Sequence, residues 1–517
     1  MADRINIFKV NCVGGLDTNR DVLTQGELYP GSAIQLINYE PSITGGYRRI
    51  SGYANDYGTV PGIGNVLGVA VVDEIDDGIL ACRAPVLGTD YLYTWDATGE
   101  TWDTVTTPGT ISMTGVKKVR FLRFNWASPS VAIVDGVNPA AIYDGTYTQI
   151  TDARAPTTPK YVASFKNHLF LAGDSTEPYN LYFSSPMMET DYNPANGAGV
   201  FNVGFEIVQI KQFRDILYIF GKNNIKALTG NSLADFVLTE VTTNLGCLVP
   251  DSVIELGGGL LFLGPDGFRP IAGTANFNDV EIQTVSKKIQ SVASDLLTSL
   301  ASGNTDPETL SSLVIRRKSQ FRLLTPSEGV FGIIGGLRGT SEGIQFEYSL
   351  LYGINVTCAA SGFLGSEEFV IHGASDGKVY RQESGTSFGG DDILSVYQTP
   401  YYYIQDPTLR KNFYDVRTFL RSEGTADIVF SISYDFEDSV NVYNPSNFNI
   451  NTEGSAAYYN EAIYDSTAIY DGNPSPVVKT NFSGSGFSVA FKYVTYDQNA
   501  SHTIQGLVFS YSMNDRR

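Results

Sequence analysis

Three histidines, His168, His372 and His502, are the side chains best suited to proton transfer or metal ligation near neutral pH, and they lie far apart in the chain. None has a second ligand residue at metal-binding spacing, so a histidine-based metal centre is not expected. A Ser-His-Asp apparatus needs a base and an orienting carboxylate around an exposed nucleophile, and none is expected here. The glycine runs Gly257-Gly-Gly259 and Gly335-Gly336 lack the Gly-Lys-Ser/Thr ending of a phosphate loop and read as turns. Carboxylate groups do cluster, as Asp73-Glu74 with Asp76-Asp77 and as Asp391-Asp392. Such pairs can serve a glycosidase or hold calcium, but a glycosidase needs two of them about 5 to 9 Å apart, which spacing alone does not fix. Acidic runs between strands also serve as solvated loops. Cys12, Cys82, Cys247 and Cys358 are widely separated and form no CxxC pair, so they read as reduced, buried thiols. The expectation is a chain that is not an enzyme and has no catalytic residue, metal or cofactor.

The elements that must position these residues are strands. The chain has 31 Tyr, 29 Phe and 52 Gly, a combination that suits pleated surfaces and tight turns. Apolar strand, Gly- or Asp-containing turn and second strand recur at 90–102, 131–145, 168–184, 215–228, 259–269 and 368–380. For most of this stretch the recurrence is about 40 to 50 residues, the blade length of a β-propeller. The reading is therefore all-β: a degenerate propeller over 61–400, after N-terminal strands in 1–60. A pair of β-sandwiches would give a similar pattern and remains the alternative. Thr284 to Ser302 breaks the pattern, with Val285, Ile289, Val292, Leu296, Leu297 and Leu300 on one helical stripe, which predicts an inserted amphipathic helix over 284–302. Long alternating strands from 401 to 517 predict a separate C-terminal β-sandwich.

Two local features stand apart. Thr94-Trp-Asp-Ala-Thr-Gly-Glu-Thr-Trp102 resembles the Asp-box turn of sialidase-like propellers, with one residue too many between Asp96 and Gly99. That turn is structural even there, and the arginines a sialidase needs are scattered along this sequence. The near-repeat Glu461-Ala-Ile-Tyr-Asp-Ser and Thr467-Ala-Ile-Tyr-Asp-Gly puts Tyr464 and Tyr470 on one side of an extended chain. It reads either as an exposed contact loop or as a short tandem of strand and turn.

With 517 residues the chain exceeds one hydrophobic core, so two or more packing units are expected. Lys and Arg number 35 against 55 Asp and Glu, a net charge of −20, which argues against a free nucleic-acid binder that works by neutralising phosphates. No run of about 18 apolar residues occurs, and Asp3, Arg4 and Lys9 occupy the place of a signal-peptide core. Neither a membrane span nor secretion is expected, and the sequons at Asn355, Asn481 and Asn499 then carry no meaning.

Leu36-Ile-Asn-Tyr-Glu-Pro-Ser-Ile-Thr-Gly-Gly-Tyr-Arg-Arg-Ile-Ser-Gly-Tyr53 resembles the N-terminal signature of tail proteins from short-tailed bacteriophages. Phe205 to Gly230, the helix from Thr284 and the closing strands from Gly486 are similar to the tail-nozzle or packaged-DNA stabilisation proteins of that group, and Asn180 to Pro186 is a phrase common in such chains. The resemblance implies a virion structural protein, made in the host cytoplasm. It implies a hexameric ring below the portal and adaptor, next to tail fibre or spike proteins. That ring retains packaged double-stranded DNA and passes it without sequence-specific binding. It transfers no catalytic residues. By that match Tyr47, Arg48 and Arg49 are candidates for subunit contact, although arginine pairs in β proteins also serve as surface charges. An acidic channel would let DNA slide, so lumen positions are expected to be acidic or polar. The other readings are a receptor-binding or baseplate component using Tyr464 and Tyr470, and, third, a propeller glycosidase.

Overall fold

The computed structural model describes residues 5–271, 284–327, 329–340, 343–437, 444–452 and 477–513. Seven radially arranged sheets are found among them. Four blades are regular four-stranded antiparallel sheets spanning 63–105, 120–149, 161–202 and 209–242. The fifth has three strands, Ile254–Leu256, Gly259–Gly264 and Gly267–Ile271. The sixth is built from Ser311–Ile315, Gln320–Leu324, Gly332–Thr340 and Gly343–Leu351. The seventh contains Cys358–Leu364, Glu367–Gly373 and Val379–Gln382, and its fourth strand, Tyr53–Ala54, comes from the N-terminal region. The ring is thus closed by an early strand completing the last blade. The expected propeller is the fold, and each strand–turn–strand segment read from the sequence lies inside a blade.

What holds neighbouring blades against one another is apolar burial. Val69 and Ile79 of the first blade pack with Ile371 and Val379 of the seventh. Leu313 and Ile334 of the sixth pack with Val370 of the seventh. Between the fifth and sixth blades Leu263 and Phe268 meet Phe321, with the Phe268 and Phe321 ring centroids 5.0 Å apart.

Beyond the sixth blade the sheet does not end. Its outer strand pairs in parallel with Gln35–Ile37, which pairs antiparallel with Ile393–Gln398. The sheet then continues through Val489–Asp497, Asp427–Tyr434 and Phe448–Asn451, giving nine strands. A second sheet of six strands faces it, formed by Asn6–Asn11, Tyr39–Pro41, Tyr47–Arg49, His502–Met513, Lys411–Ser422 and Val477–Gly486. Phe430, Phe491, Tyr493 and Phe509 fill the space between the two. The C-terminal sandwich therefore exists, but the expected divisions at 60 and 400 differ from this arrangement. Residues 5–60 do not form an arm, because their strands are shared between the sandwich, the bridging sheet and the seventh blade. Ile393–Gln398, placed before the boundary at 400, belongs with the sandwich strands. The reason is sequence-distant pairing, which no local pattern encodes.

The expected helix is present as α2 (Gln290–Ala301), after a 3-10 turn at Lys287–Ile289. Ile289, Ala293 and Leu296 are its buried face, docked on the core of the fifth blade and the sandwich. A shorter helix, α1 (Val22–Leu28), has no sequence-level stripe long enough to reveal it. Asp21 caps it, its Oδ1 accepting the Thr24 N–H at 2.9 Å. Gly26 is required there, since a Cβ would sit 2.0 Å from the Tyr401 carbonyl oxygen. No helix among the described residues is long and apolar enough to cross a membrane.

Candidate functional site

Segment 36–53 is the strap that ties propeller to sandwich. Asn38, at φ +52°, donates from Nδ2 to the carbonyls of Tyr352 and Leu394, both at 2.8 Å, so one amide spans the sixth blade and the sandwich edge. Tyr47 is fully buried. Its hydroxyl donates to the Gly31 carbonyl at 2.8 Å and accepts the Gly15 N–H at 2.9 Å. Arg49, only 1% exposed, donates to Asp497 Oδ1 at 2.7 Å and to the carbonyls of Asp497, Asn499 and Ile393. Arg48 makes a two-pronged contact with Glu423, both bonds 2.6 Å, and a third bond to Glu40 at 3.2 Å. Tyr47 and Arg49 are thus internal ties, and their expected role in subunit contact is replaced by this one. Both Nη atoms of the buried Arg49 guanidinium are paired within the chain, which fixes it there, while its Nε has no hydrogen-bond partner among the described residues.

Glu40 of the same segment sits at the centre of a buried ionic network. Its carboxylate takes Lys318 Nζ at 2.5 Å, Arg322 at 3.2 Å and the Gln320 amide at 3.2 Å. Glu383 bonds the same Lys318 and Arg322 from the other side. With Glu423, Arg48 and Arg317, the last of which reaches Glu383 at 3.8 Å, the network holds three carboxylates and four cations. Burial pushes the Glu40 and Glu383 carboxyls up, but Lys318 with Arg322 and Arg48 outweighs it and holds both below the usual range. Sequence reasoning missed this network because Glu40 is 278 residues from Lys318, and Lys318 is 65 from Glu383.

The axial channel is a cavity of about 840 Å³ lined by the first strand of every blade. Near the starts of those strands it carries a closed ion cluster. Asp251 pairs with Lys118 and Arg120, both at 2.8 Å, and Arg120 also reaches Glu308 at 2.6 Å. The Tyr161 hydroxyl donates to Glu308 at 2.9 Å, and Lys118 Nζ also donates to the Leu310 carbonyl at 2.7 Å. Burial opposes ionisation of Asp251, yet the two cations hold its carboxyl well below the ordinary range. Toward the other ends of the strands the lining includes Arg123, Lys211, Glu255 and Arg316.

The remaining candidates are structural. In the Asp-box-like turn Asp96 Oδ1 accepts the Thr98 N–H at 2.8 Å, and Trp102 Nε1 donates to the Tyr57 carbonyl at 2.7 Å. Gly385-Thr-Ser387-Phe-Gly389 has the GxSxG spacing, which corrects the expectation that no such element occurs in the chain. It lies in a loop followed by a strand, its Ser387 hydroxyl accepts the Gly390 N–H, and its carbonyl accepts the Tyr53 N–H at the ring closure. A nucleophile elbow instead leads from strand to helix. The four cysteines are buried free thiols. His372 and His502 are buried as well, bonded to Gln382 at 3.2 Å and to Tyr39 at 2.8 Å. Among the described residues no group of three His, Cys, Asp or Glu side chains could hold a metal ion. Tyr464 and Tyr470 lie outside the described residues.

No family model matches the chain, and no characterised protein matches it in sequence. Solved structures similar to it include the extracellular domain of a protein described as a one-component system of B. thetaiotaomicron. That match has 12% identity and a TM-score of 0.40, covering 66% of this chain and 41% of that one. An ancestral GH74 enzyme matches at 9% identity and TM-score 0.40, over 73% of this chain and 53% of that one. An exo-beta-1,3-galactanase from Phanerochaete chrysosporium matches at 10% identity and TM-score 0.27, over 89% and 100%. The chain thus spans about half or less of the first and second of these proteins.

Proposed function

We propose that the protein is a non-enzymatic virion component of a short phage tail, a nozzle that forms a hexameric ring below the portal and adaptor and holds back packaged DNA until ejection. The observation that carries this reading is the phage-like segment 36–53, whose Asn38, Glu40, Tyr47 and Arg49 are the groups that join the propeller to the sandwich. A match on residues the fold depends on is weightier than one on an exposed loop. The net charge of −20 supports it further, because a carboxylate-rich ring repels the DNA backbone and lets it pass, whereas lysines multiplied by six would retain it.

The test is particle assembly without this chain. Particles lacking it are expected to fill with DNA and then lose it, becoming nuclease-sensitive, and added purified protein is expected to restore retention. Particles that keep their DNA and fail only in attachment to cells would assign the chain to receptor binding instead.

A further inference from the structure

Five cations line the axial channel, and four of them have a carboxylate partner: Lys118 and Arg120 with Asp251, Arg123 with Glu74 at 3.0 Å, and Arg316 with Glu368 at 3.7 Å. Lys211, on the first strand of the fourth blade (Gln209–Phe213), has none within the 4.0 Å of an ion pair, and its side chain has no hydrogen bond to another described residue. On the neighbouring first strand of the fifth blade, Glu255 is likewise without a partner among the described residues. Of the charges that act on Lys211, Glu255 has the largest effect, followed by Asp251 and Arg316. Both side chains keep solvent exposure while lining the channel, so a solute can reach them.

An ammonium and a carboxylate that face one cavity and do not touch each other are complementary to a molecule carrying the opposite charges. We propose that the axial channel binds a small zwitterion, an amino acid or dipeptide, whose carboxylate is held by Lys211 and whose ammonium is held by Glu255. The volume, about 840 Å³, lies in the range of small-molecule sites and leaves room for a dipeptide with side chains. Gln212, Asn167 and Ser164 supply amide and hydroxyl groups in the same lining for the peptide unit. A purely anionic ligand would gain from Lys211 but be repelled by Glu255, and a purely cationic one the reverse. The site therefore selects for both charges in one molecule.

The test is titration calorimetry of the full chain with glycylglycine, with acetate and methylammonium as single-charge controls. Saturable binding of the dipeptide is expected, with both controls at least about tenfold weaker. Lys211→Gln and Glu255→Gln are each expected to weaken it by about tenfold. The double exchange Lys211→Glu with Glu255→Lys is expected to recover binding, with the ligand reversed. Absence of saturable binding would overturn the proposal. So would tighter binding by Glu255→Gln, which would mark an anion site, or a folded exchange variant that does not bind.

Discussion

Glu40→Gln is expected to cost about 3–5 kcal/mol of folding stability, the range for removing one partner from a buried ion pair. The substitution preserves shape and deletes one of three carboxylates that balance Arg48, Lys318 and Arg322. Arg322 is 1% exposed and Glu40 2%, so water cannot replace the lost charge. The effect reaches past one sheet, because Glu40 lies in the sandwich, Lys318 and Arg322 in the sixth blade and Glu383 at the end of the seventh. Denaturant titration checks it. The double variant Glu40→Gln with Arg322→Gln should lose less than the two single losses added together, since it removes charge in balance. Additive losses would show that the network is a set of independent contacts.

Mild acid is expected to destabilise the protein steeply. Burial lowers His372 to about 3 and His502 to about 3, against an ordinary 6.5. For His502 the positive charges of Arg49 and Arg48 add to this, and its partner is the Tyr39 hydroxyl. For His372 the Asp376 charge opposes it, and the Tyr53 and Tyr380 rings enclose the imidazole. Below pH 6.5 the unfolded chain takes up protons that the folded chain refuses, so stability falls with pH down to about 3. Each histidine contributes about 1.4 kcal/mol per pH unit, or about 2.7 for the two. The lowered carboxyls of Glu40, Glu383 and Asp251 act in the same direction but only at lower pH, as it falls through the ordinary carboxylate range. Unfolding free energies at pH 7.5, 6.0 and 5.0 should show this slope, and His502→Gln should roughly halve it. A flat profile between pH 6.5 and 5 would contradict the account.

The blades were legible because their pattern is local: an alternating strand, a turn of Gly or Asp, and a return strand, as in Leu92–Asp96 with Thr101–Val105. The inserted helix was legible for the same reason, through the stripe that includes Ile289 and Leu296. The N-terminal region was not. Gln35–Ile37 is three residues long, and its partners begin at 343 and 393, so nothing nearby in sequence marks it as the bridge between two modules. The same holds for the sites. Arg48 and Arg49 stood out as a charged pair, which ordinarily means surface, and only the positions of Glu423 and Asp497 reveal that they are enclosed. Lys211 and Glu255 carry no motif at all, and the channel exists only once seven blades have closed.

The proposed nozzle role is tested most directly by the mass of the purified protein in solution, alone and mixed with a portal and adaptor complex from the same particle, measured by light scattering with negative-stain imaging. The account predicts a six-fold ring in at least one of the two conditions, seated on the complex in the mixture. Monomers or trimers that ignore the complex would contradict it.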